Sequence, residues 1–258
     1  YDVICIQTKD MYCYCSSDHV IGIVKEHVSI GGKVSTYSIY NKIFHNQLHV
    51  KLCYSDAQDV LCSVSSGNVI FGWSLDGDAP LFNISRHNDM ITDFICCDEL
   101  GCFATCSMDK RIVLWSSSSR RVKGVFLGHK RGVRHIQYSK QMIISCAYET
   151  DARIWDMNTK DCAVILRGHR SILTNAVLMC DRARDYEEYR ALTVDESGEF
   201  RLWNIYVREK TSEPYLAPTI QCFESHNHEV PICNVKFFAL PNNQKHSTSY
   251  YSDIIACS

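Results

Sequence analysis

The residues best able to do chemistry in this chain are its 11 His and 15 Cys, because imidazoles and thiols ligate metals and act as bases or nucleophiles. No two cysteines have the Cys-x2-Cys spacing of a zinc site. The closest cysteine pairs are Cys96 with Cys97, Cys13 with Cys15, and Cys102 with Cys106. The acidic stretch 76–79 is shorter than a calcium loop and is typical of a turn. We therefore expect no metal and no cofactor.

The sequence also lacks the motifs of the common enzyme classes. It contains no Gly-x-Ser-x-Gly elbow, no His-Glu-x-x-His zinc motif, no P-loop and no Gly-x-Gly-x-x-Gly dinucleotide loop. These motifs place a nucleophile, a metal or a phosphate by means of fixed residue spacings. Their absence from the sequence predicts a protein that is not an enzyme.

Length and charge exclude further classes. The 258 residues are 46% apolar, which suffices for one large or two medium globular domains. The 27 Lys and Arg nearly balance the 29 Asp and Glu, so we expect no nucleic-acid binding. No apolar stretch has the length of a membrane span, so we expect no membrane insertion. The odd number and irregular spacing of the cysteines predict reduced, buried thiols in a cytoplasmic protein.

Four tryptophans reveal the elements that must position these residues. Trp73, Trp115, Trp155 and Trp203 lie 42, 40 and 48 residues apart, which are the periods of propeller blades. Each tryptophan ends a short apolar run that follows another apolar run, a pattern typical of paired β-strands joined by a tight turn. A further strand begins after a histidine upstream of each pair. The five histidines in this position are His45, His87, His129, His169 and His228.

Hydroxyl and acidic residues recur at fixed distances before the tryptophans. Ten residues before them stand Ser63, Thr105, Ser145 and Thr193. Six residues before them stand Gly67, Asp109, Glu149 and Ser197. The hydroxyl is therefore present in all four units, whereas the acid varies.

These units resemble the WD-repeat β-propeller family. The resemblance rests on RHNDMITDF…CSMDKRIVLW, GHKRGVRHIQYS…ARIWD and GHRSILTNAVL…DESGEFRLWN, three consecutive units in register. It implies an all-β fold of four-stranded antiparallel blades, about four to six of them, in a divergent and incomplete propeller. It also implies a buried hydrogen-bond chain in each blade, which joins the indole, the hydroxyl, the histidine and an acid.

The predicted hydrogen-bond chain differs among the units. One unit has all four members, namely His87, Thr105, Asp109 and Trp115. The next unit has His129, Ser145 and Trp155, with Glu149 as a longer substitute for Asp. The following unit has His169, Thr193 and Trp203, with Asp195 placed two positions earlier than expected. The first unit lacks an acid, so we expect it to rely on packing alone.

The resemblance divides the chain into two parts. Residues 44–258 are assigned to WD-repeat blades, the last of them truncated. Residues 1–43 are assigned to a degenerate N-terminal blade or strand segment, in which Val24 stands where the tryptophan would be. A seven-bladed ring needs more residues than are present, so we expect the chain to be part of a longer protein.

Two surfaces are candidates for partner binding. Insertions at 180–190, 207–219 and 239–251 are predicted to be loops on one face. Their candidate contact residues are Arg182, Arg184, Tyr186, Tyr189, Arg190 and Tyr215. The alternative surface is the opposite face, with Lys130, Arg131 and Arg170. Acidic residues in the same loops there also permit a solvated surface of mixed charge without a partner.

The family resemblance implies a non-catalytic scaffold that binds other proteins as a subunit of a larger complex. An alternative is a structural component of a cytoskeletal assembly such as a ciliary axoneme. Fold analogy does not choose between them. The first predicts a cytoplasmic adaptor and the second a protein associated with the cytoskeleton.

Overall fold

The computed structural model describes residues 2–28, 35–182, 187–207, 219–227, 234–237 and 254–257. The chain divides into two compact units, Tyr1–Leu127 and Gly128–Ser258. The described residues form 22 β-strands and two three-residue 3-10 turns, Gln7–Lys9 and Asp98–Leu100. Within these ranges there is no helix with the length and apolar character needed to cross a membrane.

Unit 1 contains three four-stranded antiparallel sheets whose strands follow chain order. The first sheet consists of β1 (Val3–Ile6), β2 (Met11–Cys15), β3 (Val20–Val28) and β4 (Ser35–Phe44). The second consists of β5 (His49–Ser55), β6 (Val60–Ser65), β7 (Ile70–Trp73) and β8 (Pro80–Ile84). The third consists of β9 (Ile91–Cys97), β10 (Cys102–Ser107), β11 (Ile112–Ser116) and β12 (Val122–Phe126).

Unit 2 contains two more sheets of the same kind and a strand pair. The fourth sheet consists of β13 (Val133–Ser139), β14 (Met142–Ala147), β15 (Ala152–Asp156) and β16 (Cys162–Leu166). The fifth consists of β17 (Leu173–Arg182), β18 (Glu187–Asp195), β19 (Glu199–Val207) and β20 (Thr219–Asn227). The strand pair is β21 (Asn234–Phe237) with β22 (Ile254–Cys257). The predicted all-β class and four-stranded antiparallel blades are confirmed.

A β-bulge marks the same place in all five sheets. The pairing of the third strand with the fourth shifts by one residue directly before Trp73, Trp115, Trp155 and Trp203. In the first sheet the shift comes directly before Val24. Since a bulge re-aims the side chain that follows it, this shared position sets where each tryptophan points. Val24 thus occupies the tryptophan position of the first sheet.

The core of each unit lies between neighbouring sheets. In unit 1, Ile21 and Ile23 of the first sheet pack against Trp73 of the second. Val64 of the second sheet packs in the same way against Trp115 of the third. In unit 2, residues of the fourth sheet surround Trp203 of the fifth. Burial of each such side chain contributes about 1.5–3 kcal/mol, so these contacts make the sheets rigid platforms for their turns.

The insertion at 180–190 is largely strand, which corrects the predicted loop. β17 continues to Arg182 and β18 begins at Glu187, and Cys180 pairs with Tyr189 in the ladder. β19 extends alongside, where Ile205 pairs with Tyr189. The extra residues described here therefore lengthen three neighbouring strands.

Candidate functional site

The third sheet contains the complete hydrogen-bond chain. Trp115 Nε1 donates to Thr105 Oγ1 at 2.9 Å, and His87 Nε2 lies 2.8 Å from the same oxygen. His87 Nδ1 lies 2.9 Å from Asp109 Oδ2. Asp109 also accepts two backbone N–H groups of the adjoining turns. The structure therefore brings together all four residues that the sequence assigned to this unit.

The direction of each hydrogen bond follows from the charge of the ring. Burial lowers the pKa of His87, although the hydrogen bond with Asp109 opposes this effect, so the imidazole is neutral near pH 7. Burial acts to raise the pKa of Asp109, but the hydrogen bond with His87 holds it below its ordinary value. A carboxylate only accepts, so we assign the single ring proton to Nδ1. Nε2 then accepts the Thr105 hydroxyl proton, while Thr105 accepts the indole proton of Trp115.

The fourth sheet repeats the arrangement with a longer acid. Trp155 Nε1 donates to Ser145 Oγ at 2.8 Å, and His129 Nε2 lies 2.6 Å from that oxygen. His129 Nδ1 contacts Glu149 Oε1, so the extra methylene of Glu does reach the ring. Burial acts to raise the pKa of Glu149, but the hydrogen bond with His129 brings it below its ordinary value.

The fifth sheet has the most deeply buried acid. Trp203 Nε1 donates to Thr193 Oγ1 at 2.8 Å, and His169 Nε2 lies 2.7 Å from the same oxygen. His169 Nδ1 lies 2.9 Å from Asp195 Oδ2. Asp195 is 0% exposed, and its Oδ1 accepts three bonds from the turn that follows. An acid two positions early therefore contacts the same ring nitrogen as Asp109 does in the third sheet.

The second sheet keeps part of the chain, so the expectation that it relies on packing alone is wrong. Trp73 Nε1 donates to Ser63 Oγ at 2.7 Å. Two histidines lie beside this pair and contact each other, with His49 Nε2 3.1 Å from His45 Nδ1. Both rings meet Trp73 edge-on, with centroids 5.4 and 5.7 Å away. His49 stands where the other units have an aliphatic residue, so the sequence pattern predicts packing at this position and gives no signal for the contact with His45.

We expect acid to destabilise the protein between pH 7 and pH 5. Burial lowers the pKa of His49 to about 4, and it also lowers the pKa of His87 and His169. The unfolded chain therefore binds more protons in this range, and the free energy of unfolding falls as pH falls through 6.5. His49 alone accounts for about 2 kcal/mol at pH 5.

Urea titrations at pH 7 and pH 5 measure this effect. His49→Phe should remove part of the pH dependence, whereas His27→Gln, at an exposed position, should leave it unchanged. An equal free energy of unfolding at the two pH values would contradict the prediction.

One cluster of the described side chains has ligand types suited to a metal. Atoms of His169, Asp195 and Glu199 lie within 4.8 Å of one another. Hydrogen bonds already engage them, since His169 Nδ1 is bonded to Asp195, and Arg201 donates to Glu199 Oε1 at 2.8 Å from Nε. A cation would have to displace these donors. The cluster is explained as part of the hydrogen-bond chain of the fifth sheet.

An ion pair between a half-buried lysine and a buried aspartate joins the second and third sheets of unit 1. Lys51 Nζ lies 3.2 Å from Asp93 Oδ1, and Asp93 is 4% exposed. The two residues belong to different repeats, so spacing within one repeat gives no signal for the pair. The contact ties neighbouring first strands together and adds to the rigidity of the platform.

Three exposed cations lie on the turns of unit 2 that lead into β13 and β17. The three cations are Lys130, Arg131 and Arg170, and we call the two turns that carry them the basic turns. Val133 at the start of β13 pairs with Ala147 at the end of β14, so the basic turns and the turns after β14 and β18 lie at the same end of the sheets. No described ion pair includes a side chain of the basic turns.

The acids at this end of the sheets are engaged elsewhere. Glu149 contacts His129, Asp195 contacts His169, Asp151 Oδ2 lies 3.5 Å from Arg167 Nε, Glu196 Oε1 lies 3.1 Å from Arg134 Nη1, and Glu199 binds Arg201. Glu149 Oε2 also accepts the backbone N–H of Lys130 at 3.2 Å, so one acid lies beside the basic turns, but no described ion pair joins an acid to their side chains.

The structure corrects one residue of the other predicted partner surface, and much of that surface lies outside the described residues. Tyr189 is 1% exposed and packs among residues of the fourth and fifth sheets, so it is a core residue and not a surface anchor. Arg190 is half-buried on β18. Arg182 is placed only as a backbone position of β17. Arg184, Tyr186, Tyr215 and His228 lie outside the described residues.

Comparisons with known proteins identify relatives but no matching family model. The chain is 22% identical over 63% of its length to the cilia- and flagella-associated protein 337 B of Tetrahymena thermophila, and the match covers 13% of that protein. It is 28% identical over 43% of its length to a WD repeat-containing protein of Schizosaccharomyces pombe, covering 31% of it. It is 30% identical over 36% of its length to the ribosome biogenesis protein WDR12 homolog of Ixodes scapularis, covering 23% of it. The chain thus spans less than a third of the length of each relative.

Proposed function

The chain is a WD-repeat protein, and from that premise we propose that it is a non-catalytic scaffold that binds other proteins as a subunit of a larger complex. The rigid sheets hold turns in fixed positions, which suits recognition of a partner. A scaffold needs no reacting group. The described histidines and acids of the third and fifth sheets already serve in buried hydrogen-bond chains.

The proposed partner surface is the basic turns. The observation that supports it is the distribution of charge, since the nearby acids pair with other side chains and no described ion pair includes a side chain of the basic turns. Exposed Lys and Arg side chains on rigid turns are suited to an acidic or phosphorylated segment, which they bind through charge-assisted hydrogen bonds. Glu149 Oε2 lies against the Lys130 backbone, but no described ion pair joins it to a side chain of the basic turns, so those side chains are available to a partner.

Charge reversal of the basic turns should abolish partner binding. Replacing Lys130, Arg131 and Arg170 together by Glu should weaken partner capture by at least about tenfold at low salt, because attraction becomes repulsion. Quantitative mass spectrometry of partners captured from a native extract measures this change. The substituted residues are exposed, so folding should be retained.

A matched control reverses Lys42, Arg121 and Lys123, three exposed cations of unit 1, which changes the net charge equally. It should leave the partner profile unchanged. Equal losses in both variants would indicate non-specific charge effects, and an unchanged profile in the basic-turn variant would refute the proposed surface.

A second candidate function is structural, in a ciliary or other cytoskeletal assembly. The match to a cilia- and flagella-associated protein, which extends over 63% of the chain, favours it. Detergent extraction separates the two functions. A structural component should remain with the filament fraction, whereas a cytoplasmic adaptor should be released with its partners in substoichiometric amounts.

A further inference from the structure

The edge strand of the first sheet is one of two long strands among the described fourth strands. β4 has 10 residues and β20, at the same edge of the fifth sheet, has 9, whereas β8, β12 and β16 have 5 each. β2 pairs with β3 only as far as Lys25, but β4 continues to pair with β3 as far as Val28. β3 and β4 therefore extend beyond the sheet as a two-stranded arm.

This edge carries exposed apolar side chains. Tyr37 is 59%, Ile39 is 63% and Phe44 is 70% exposed. Exposed strand edges are usually protected by Pro, by Lys or by short length. β8 begins with Pro80 and β12 contains Lys123, but the stretch from Ser35 to Asn41 has neither protection. An edge of this kind is suited to pairing with another strand.

We propose that β4 pairs antiparallel with β4 of a second copy of this chain, which joins two first sheets into one eight-stranded sheet. Unpaired backbone N–H and C=O groups of an edge select an extended strand as the occupant. A two-fold axis at Ser38 places Tyr37 of each copy opposite Ile39 of the other copy. Tyr37 pairs with Glu26 and Ile39 with Val24 within the sheet, so both lie on the same face.

The sequence of β4 is compatible with this self-pairing. Aromatic side chains opposite β-branched ones are favourable cross-strand pairs, and here the axis produces two of them. Lys42 is the one charged residue of β4 and lies four positions from the axis, so the two lysines do not face each other. A second copy therefore meets the edge without like-charge repulsion.

Tyr37 is already held in place before pairing. Its ring meets Tyr12 edge-on with centroids 5.9 Å apart, and its hydroxyl donates to Glu26 Oε1 at 3.4 Å. A side chain whose rotamer is fixed loses less entropy when it is covered. The arm is thus preorganised for the second copy.

Sedimentation or light scattering of the full chain between about 1 and 100 µM tests the proposal. We expect a mass that rises from monomer towards dimer with concentration. Ile39→Lys should weaken dimerisation at least about tenfold by adding charge beside the axis. Val122→Lys on the edge strand β12, where Val122 is 40% exposed, is the matched control and should dimerise normally.

Hydrogen exchange provides a second measurement that does not depend on a variant. Amides of residues 36–42 should exchange more slowly at dimer concentrations than at monomer concentrations. A wild-type protein that stays monomeric throughout, a dimer that survives Ile39→Lys, or an exchange rate at 36–42 that is independent of concentration would overturn the proposal.

Discussion

Trp73→Ala should lower the free energy of unfolding by about 3–5 kcal/mol, the usual cost of removing a fully buried aromatic side chain. Trp73 is 0% exposed and packs between the first two sheets of unit 1. Its removal leaves a cavity beside Phe71, His45 and His49, because the rings of these three residues contact the indole. Urea denaturation followed by circular dichroism gives the free energy directly.

Trp73→Phe separates packing from hydrogen bonding. Phenylalanine keeps most of the ring contacts but cannot donate to Ser63, so we expect a smaller loss of about 1–2 kcal/mol. If the Ala and Phe variants lose equal stability, packing of the ring is not the dominant contribution. A loss below about 1 kcal/mol for Trp73→Ala would show that this side chain is not part of the core.

Asp195→Ala should destabilise the fold by about 3 kcal/mol, more than the corresponding change at any other acid of the hydrogen-bond chains. Its loss leaves the buried Nδ1–H of His169 and the donors of the following turn without an acceptor. The side chain of Asp195 is 0% exposed, compared with 6% for Asp109 and 13% for Glu149. Water can replace the missing acceptor better at the more exposed sites.

The expected order of destabilisation is therefore Asp195→Ala, then Asp109→Ala, then Glu149→Ala. Denaturant titration of the three variants at one pH measures it. Asp78→Ala, at an exposed turn position, is the control and should be nearly neutral. An Asp195→Ala variant as stable as the Asp78→Ala control would refute the role of the buried acid.

The sequence predicts the hydrogen-bond chains well because their members are close along the chain. A hydroxyl ten residues before a tryptophan pairs across one tight hairpin, so its distance from the indole follows from strand register alone. Thr105 pairs with Val113 and Trp115 with Phe103, and this register places the indole beside the hydroxyl. Glu149 and Asp195 also lie close along the chain to the hydroxyl residues of their sheets. The sequence therefore assigns them to the hydrogen-bond chains although they depart from the pattern.

The surface predictions from the sequence were weaker for a physical reason. Extra length within a repeat does not distinguish a longer loop from longer strands. Tyr189 shares a face with Ala191, but Leu192 on the opposite face is also buried, so no alternation of apolar and polar residues marks Tyr189 as a core residue. Contacts between repeats, such as Lys51 with Asp93, leave no signal in the spacing of one repeat.

Zero-length carbodiimide cross-linking in a native extract tests most directly whether the basic turns bind an acidic partner. The reagent joins a lysine amine to a carboxylate only when the two are in contact. We expect peptides that contain Lys130 to be coupled to acidic segments of another protein, with the coupling lost at high salt. Lys123, which is exposed on β12, should remain uncoupled. Coupling at Lys123 or Lys42 with none at Lys130 would contradict the proposed surface.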